Sequence, residues 1–174
     1  IARLLAGAAD MVFEPVSAVF VGVADLRKVF ARAEQHRQAG RRSLLFVDEV
    51  HRFNKAQQDG LLPRVEDGTV TLVGATTENP SFALNEALLS RAQVLVLNRL
   101  DTAALEAILR RLEAHIGHDL PVDTAARADL CAMADGDGRY LLNMAALLID
   151  RPPQPQLDTA ALVQIVAARA PALD

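Results

Sequence analysis

Two hydrophobic periods run through this chain and divide it. ADLRKVFARAEQHRQAG (24–40) puts apolar side chains at 26, 29, 30 and 33, the spacing of a helix that stops at Gly40. SLLFV (43–47) follows as an unbroken apolar run, which predicts a strand buried on both faces of a parallel sheet. TVTLVGATT (69–77) is β-branched and ends in hydroxyls, and AQVLVL (92–97) is again short and apolar, so both are predicted strands. MVFEPVSAV (11–19) holds a further short strand, expected to stop near Pro15. Between them, IARLLAGAA reads as the end of a helix, Asn54 caps a helix beginning KAQQDGLL, and ALNEALLSR (83–91) is a short helix. Strands alternating with helices predict right-handed crossovers and a parallel sheet with helices on both faces.

After Leu97 the strand pattern stops. TAALEAILRRLEAHIG aligns Leu105, Ile108, Leu109, Leu112 and Ile116 on one helix face, and three more helices are predicted near 124–134, 138–149 and 159–169. The tetrapeptide DTAA recurs at 101, 123 and 158, each time where a helix should begin. The unequal spacing rules out a structural repeat. It is one N-cap used three times, with Asp accepting backbone N–H groups at the positive helix end. RPPQPQ (151–156) is a stiff connector before the last helix. The expected organisation is an α/β part over 1–97 and a small all-α part over 98–174.

Composition narrows the picture. With 51% hydrophobic but only 4% aromatic residues and no Trp, the core must be aliphatic. A net charge of −4 gives no global attraction to nucleic acid, so any such contact needs a local basic surface. The single cysteine, Cys131, excludes an internal disulfide, fits a reducing compartment and falls on an apolar helix face. No run reaches the ~18 apolar residues of a membrane span, and no signal peptide is visible. The chain opens on IARLLAG, inside a helical pattern, and is expected to be a piece of something longer.

The chemistry concentrates at predicted strand ends. Asp48 and Glu49 leave the 43–47 strand at its carboxyl end, where open α/β sheets hold their ligands. One carboxylate there can hold Mg²⁺ directly or through water, and the second can orient or deprotonate a water for attack on a phosphate. A plain turn is the other reading of two acids after a strand. The next strand ends in Thr76, Thr77, Glu78 and Asn79, which can bond the same water or phosphate, or simply cap the Asn79-Pro80 turn. Arg91 closes LLSR (88–91), either solvated or supplying positive charge to a transferring phosphoryl group.

The order of these features resembles an AAA+ ATPase: an acidic strand end, a polar strand end, SR, then a helical domain with GDGR (136–139). FVDEVHRFNKAQQD, LPRVEDGTVTLVGATTENPSF and LNEALLSR resemble the RarA (MgsA) family, related to the eukaryotic Werner-helicase-interacting ATPase, in the clamp-loader-like branch. The resemblance is dense from 41 to 100 and weakens beyond 150. It implies Asp48 as the magnesium-side Walker B acid, Glu49 as the catalytic base, Thr77 at sensor 1 with Thr76 and Asn79 beside it, and Arg91 as an arginine finger acting on the adjacent subunit's ATP. Arg139 would be sensor 2 in a lid domain, although Tyr140 stands where the family often has a second basic residue and Gly138 lies just inside that helix. The resemblance further implies a bacterial cytosolic, nucleoid-associated ATPase that uses ATP and Mg²⁺, assembles into a ring and works on DNA at forks and single-strand/double-strand junctions. Single-stranded-DNA-binding protein is a further candidate partner.

Other features weigh less. Six basic residues between 27 and 42 read as a solvated helix face before a DNA-tracking one; Arg52 and Lys55 are the better DNA candidates, because the family points the helix after the acids toward the ring's channel. His51 reads as packing rather than as a nucleotide sensor. His115, His118 and Asp119 read as a solvated helix end rather than a metal site. Two rival functions stand: another AAA+ DNA machine (a clamp-loader subunit or a RuvB-like branch-migration motor), and a non-hydrolysing interaction module. No stretch matches GxxxxGK[ST], the loop that cradles phosphates on backbone N–H groups. That loop and its strand are expected just upstream, the strand lying centrally between 92–97 and 69–77, with those two strands either re-pairing without it or taking another chain as partner. The 174-residue chain is therefore expected to bind ATP poorly and not to hydrolyse it, with no cofactor held. Calorimetric titration checks this, and micromolar ATP binding overturns it.

Overall fold

The computed structural model describes residues 1–152 and 155–168. Pro153 and Gln154 of the predicted connector, and the last predicted helical position, Arg169, lie outside the described residues. Two units form, one spanning Ile1–Leu95 and one beginning at Val96.

The first unit is the expected α/β architecture. Its order is α1 (Ala2–Ala8), β1 (Met11–Ser17), α2 (Val23–Gln38), β2 (Arg42–Asp48), α3 (Lys55–Glu66), β3 (Thr71–Gly74), α4 (Pro80–Ala83) and α5 (Glu86–Leu89). The three strands are parallel in the order β1-β2-β3, with Met11 beside Arg42, Ser17 beside Asp48, and Leu44 to Val47 beside Thr71 to Gly74. β2 is central and its apolar run is used on both faces. Leu45 and Val47 pack with Leu26, Val29 and Ala33 of α2 and Leu61 of α3. On the other face, Phe46 stacks with Phe13 at 6.0 Å, and the guanidinium of Arg3 in α1 lies over the Phe13 ring.

β1 carries a buried carboxylate on the α2 side. Glu14 accepts a 2.8 Å bond from Arg32, which raises the arginine's affinity for its proton, and lies 3.9 Å from His36. The pairing matters because an isolated buried carboxylate is costly.

Four expectations change in this unit. β1 does not stop at Pro15 but continues to Ser17, because an edge strand tolerates the missing N–H that a central strand would miss. The 69–77 strand shortens to 71–74, and the 83–91 helix shortens to α5 under a cap from Asn85, with α4 before it under its own cap from Asn79. The fourth change is the largest: residues 92–97 form no strand, and Val94, Leu95, Val96 and Leu97 are exposed. Among the described residues β3 pairs only with β2, so the two segments expected to flank a central strand do not re-pair. Strand propensity without a neighbouring ladder leaves backbone groups that water satisfies as well.

The second unit is helical, with α6 (Thr102–Ile116), α7 (Thr124–Ala134), α8 (Gly138–Ala146) and α9 (Thr159–Ala167); α8 ends three residues before the predicted 149. The repeated DTAA behaves as its sequence suggests: Asp101, Asp123 and Asp158 accept from the N–H groups of Ala104, Ala126 and Ala161 at 2.7–2.8 Å. Leu105, Leu109, Ala126, Leu130, Cys131, Leu141, Met144, Leu148 and Leu162 form the core. Burial pushes the Cys131 thiol up, consistent with an inert core residue. Around that core, Arg127 joins α7 to α6, donating to Glu113 at 2.6 and 2.9 Å and to Glu106 at 2.9 Å.

Arg127 holds the Glu113 carboxyl below the ordinary carboxylate range, helped by the N–H of Leu120. A depressed folded-state pKa stabilises the fold above the unfolded value, and the contribution disappears as pH falls through the lower, folded one. Arg127→Met is expected to cost about 2 kcal/mol, under the 3–5 typical of fully buried pairs because Arg127 keeps 20% exposure. Urea unfolding at neutral pH checks the loss, which should shrink as the pH is lowered beneath the ordinary carboxylate range.

Candidate functional site

Ser17, Asp48 and Gly74 end the three parallel strands at one edge of the sheet. Asp48 is exposed, and its backbone carbonyl accepts the N–H of Ala18, so the chain leaving β1 stays beside it. Glu49 follows at φ 55° and ψ 45°, in the left-handed region. This conformation is uncommon outside glycine, asparagine and aspartate, and it turns the chain abruptly off the strand axis. The bond from Val50 N–H to the Ala75 carbonyl and that from Ala75 N–H to the Val47 carbonyl, both 2.9 Å, hold the turn. They carry the β2–β3 pairing past the strand ends and bring residues 76–78 beside Glu49. Gly74 permits the approach, since a Cβ there would stand 3.1 Å from Val50 Cγ1.

His51 joins these parts. Its side chain is 5% exposed, with Nε2 at 3.1 Å from Glu49 and 3.7 Å from Glu78, and Nδ1 at 2.9 Å from Thr76 Oγ1. The reading of His51 as a packing residue is therefore incomplete, because both ring nitrogens face polar partners. Thr76 Oγ1 also accepts the N–H of Glu78 at 3.0 Å. Of the other strand-end groups, Thr77 is exposed and Asn79 caps α4 by accepting from Ser81 N–H. Thr76 thus meets the Asp48–Glu49 turn through His51, while Asn79 does the local capping its sequence also suggested.

α3 begins past this turn at Asn54, which accepts from Gln57 N–H while Gln57 returns a side-chain acceptor to Asn54 N–H. Two glutamines on its inner face were invisible as site-builders in the sequence. Gln57 donates to the Val21 carbonyl in the loop after β1. Gln58 donates to the carbonyls of Phe53 and Ala83 and accepts from Asn85 N–H. They tie the loops around the strand ends to one helix. Arg52 and Lys55 are exposed, with no ion pair among the described residues. Arg91, beyond α5, is held by Glu66 at 2.6 Å and by the Ala87 carbonyl at 2.9 Å.

In the helical unit, Arg139 is exposed in the first turn of α8, whose N–H groups at 139 and 140 are capped by Asp137. The glycines before it are explained by packing. Gly136 has φ +78°, and a Cβ there would lie 2.6 Å from Arg99 Cβ. A Cβ on Gly138 would lie 3.0 Å from Ile108 and 3.1 Å from Leu100. Among the described residues no group of three His, Cys, Asp or Glu side chains can hold a metal ion by itself. His118 lies 3.0 Å from the Asp119 carbonyl. Asp48 offers one exposed carboxylate, a hard oxygen donor suited to a divalent cation whose other ligands come from phosphate and water.

The strand ends bring paired acids at the carboxyl end of a central strand beside a polar neighbouring strand end, the place where open parallel sheets hold their ligands. Residues 1–100 match the family model described as "ATPase family associated with various cellular activities (AAA)", and the chain belongs to that family. It is 46% identical over 155 residues to Replication-associated recombination protein A of Escherichia coli (strain K12), covering 86% of this chain and 35% of the relative. Similarity to the protein of that name from Coxiella burnetii is 48% over 155 residues, with the same coverage of 86% and 35%. It is 41% identical over 153 residues to ATPase WRNIP1 of Dictyostelium discoideum, covering 86% of this chain and 18% of that protein. The chain thus spans about a third of the length of the bacterial relatives it matches. Among the described residues no helix is long and apolar enough to cross a membrane.

Proposed function

We propose that this chain supplies the water-activating half of an ATP-hydrolysis centre in a longer, DNA-dependent AAA+ ATPase of replication-fork maintenance and recombination. The observation that carries the reading is the Asp48–Glu49 turn, with Glu49 in a left-handed conformation and tied through His51 to the end of β3. The family supports ATP and Mg²⁺ as the ligands, and the relatives named for replication and recombination support the setting.

In this reading the magnesium ion supplies charge neutralisation at the phosphates, with Asp48 on its side of the site. Glu49 accepts the proton of the attacking water and orients it. Thr77 and Arg139 bond phosphate oxygens, with Thr76 and Asn79 framing the sensor segment. Arg91 serves the nucleotide of a neighbouring subunit in a ring, exchanging Glu66 for phosphate. The helical unit acts as the lid. Arg52 and Lys55 face DNA, and forks and single-strand/double-strand junctions are the substrates, in the bacterial cytosol.

The decisive experiment is steady-state ATPase assay of the full-length protein with and without forked DNA. Glu49→Gln is expected to lower kcat by about 10²–10⁴, the range for loss of a general base, while nucleotide binding persists. Hydrolysis unchanged by this substitution overturns the assignment and leaves the interaction-module reading. Replacing Arg52 and Lys55 together with Ala is expected to reduce the slope of log affinity for DNA against log salt by roughly 0.7–0.9 for each phosphate that is no longer neutralised. An unchanged slope in fluorescence-anisotropy titrations removes both from the DNA surface.

A further inference from the structure

We propose that His51 is a positioning residue that couples Glu49 to the end of β3, with Glu78 as the competing acceptor for its Nε2 proton. The proposal rests on the ATPase reading and deepens it. Three observations carry it. The ring is almost fully buried at 5% exposure, yet it is surrounded by polar groups rather than by the aliphatic core. Nε2 faces two carboxylates, 3.1 Å from Glu49 and 3.7 Å from Glu78, and carboxylate oxygens only accept, so this nitrogen carries the hydrogen. In the neutral ring Nδ1 is then the bare acceptor, and the Thr76 hydroxyl 2.9 Å away donates to it while receiving Glu78 N–H on its own oxygen. The contacts run from residues 76–78 to Glu49 through the ring, hydrogen-bonded at Nδ1 and at ion-pair distance at Nε2.

That continuity has a functional consequence. The backbone of Glu49 is aimed by its left-handed turn, but a glutamate side chain keeps rotatable bonds beyond it. The close approach of His51 Nε2, at an ion-pair distance of 3.1 Å, restricts that freedom at one carboxylate oxygen and leaves the other to water. Residues 76–78 include Thr77 and sit on an exposed loop with no ladder partner beyond β3 among the described residues. A small displacement of that loop carries Thr76 and, through Nδ1, rotates the ring; Nε2 then meets Glu78 in place of Glu49. One proton serves two carboxylates, so Glu49 is either held or released. The state of the phosphate-facing loop is thereby passed to the residue that activates water.

The test is ATP hydrolysis by the full-length protein carrying His51→Ala, His51→Gln, Thr76→Val or Glu49→Gln. His51→Ala is expected to lower kcat by roughly tenfold to a hundredfold, the penalty of a misplaced reacting group. The KM for ATP should stay within about twofold, because the contact removed acts in the reaction step and not in binding. His51→Gln should recover most of the loss, since its amide donates one N–H to Glu49 from a similar reach. Thr76→Val keeps the ring and removes its Nδ1 partner together with the acceptor of the Glu78 N–H, and should lower kcat by a few-fold at unchanged KM. Equal losses in His51→Ala and His51→Gln, or a KM that rises as kcat falls, overturn the coupling role and leave a packing residue. Should His51→Ala fail to unfold cooperatively, Thr76→Val decides, and wild-type kcat in it overturns the proposal. Hydrolysis abolished by Glu49→Gln but untouched by His51→Ala sinks the histidine's role alone; wild-type protein with no Glu49-dependent hydrolysis sinks the ATPase reading as well.

Discussion

The pairing of β2 with a parallel neighbour on each side is the constraint from which the first unit follows. A central strand satisfies its backbone on both edges and buries side chains on both faces, so residues 43–47 have no room for charge until the strand ends. Asp48 and Glu49 are therefore the first positions where carboxylates can be solvated, and they fall beside Ser17 and next to the chain leaving β3. Two backbone bonds beyond the ladder, Ala75 to Val47 and Val50 to Ala75, convert this adjacency into a fixed turn. The left-handed Glu49 is tolerable because those bonds over-determine it.

Polar groups then do around the strand ends what aliphatic residues do beneath the sheet. Gln57 and Gln58 are buried on α3 and reach carbonyls or N–H groups of three separate loops. An amide buried without such partners would cost free energy, so each bond also restricts where its loop can sit. His51 belongs to the same layer. Glu14 and Arg32 repeat the principle on the edge strand, and Arg127 with Glu106 and Glu113 repeats it in the helical unit.

Much of this was legible from residue order. Continuous apolar runs located β2, the 3.6-residue period located α2 and α6, and the aspartates of DTAA located three helix starts to the residue. The acid pair was visible as charge that abruptly follows a buried run, although a plain turn was an equally local reading of it. What escaped was non-local. Whether 92–97 becomes a strand depends on a neighbour rather than on its own β-branched content, and it stays irregular and exposed. Pro15 signals a strand end only if the strand is central. His51 looks like a packing residue, and Gln57 and Gln58 like surface polar ones, until the loops they bind are brought beside them. No local period encodes a partner 25 or 36 residues away.

The contrast between the two arginines of the proposed phosphate chemistry follows from the same physics. Arg91 is about half exposed and its partner Glu66 likewise, so their pair is of the kind that contributes only ~0–1 kcal/mol. An ion pair that weak holds a guanidinium in place without competing against a phosphate, whose several oxygens accept its donors more strongly. Arg139 is prepared differently. Gly136 and Gly138 let α8 begin hard against Arg99, Leu100 and Ile108, and Asp137 caps the helix so that its first turn is rigid. Arg91 is held by a weak, exposed partner, whereas Arg139 extends from a helix start whose backbone is tightly packed and capped. A weak, exposed partner leaves a guanidinium free to exchange, whereas a packed and capped helix start fixes the backbone from which a side chain extends.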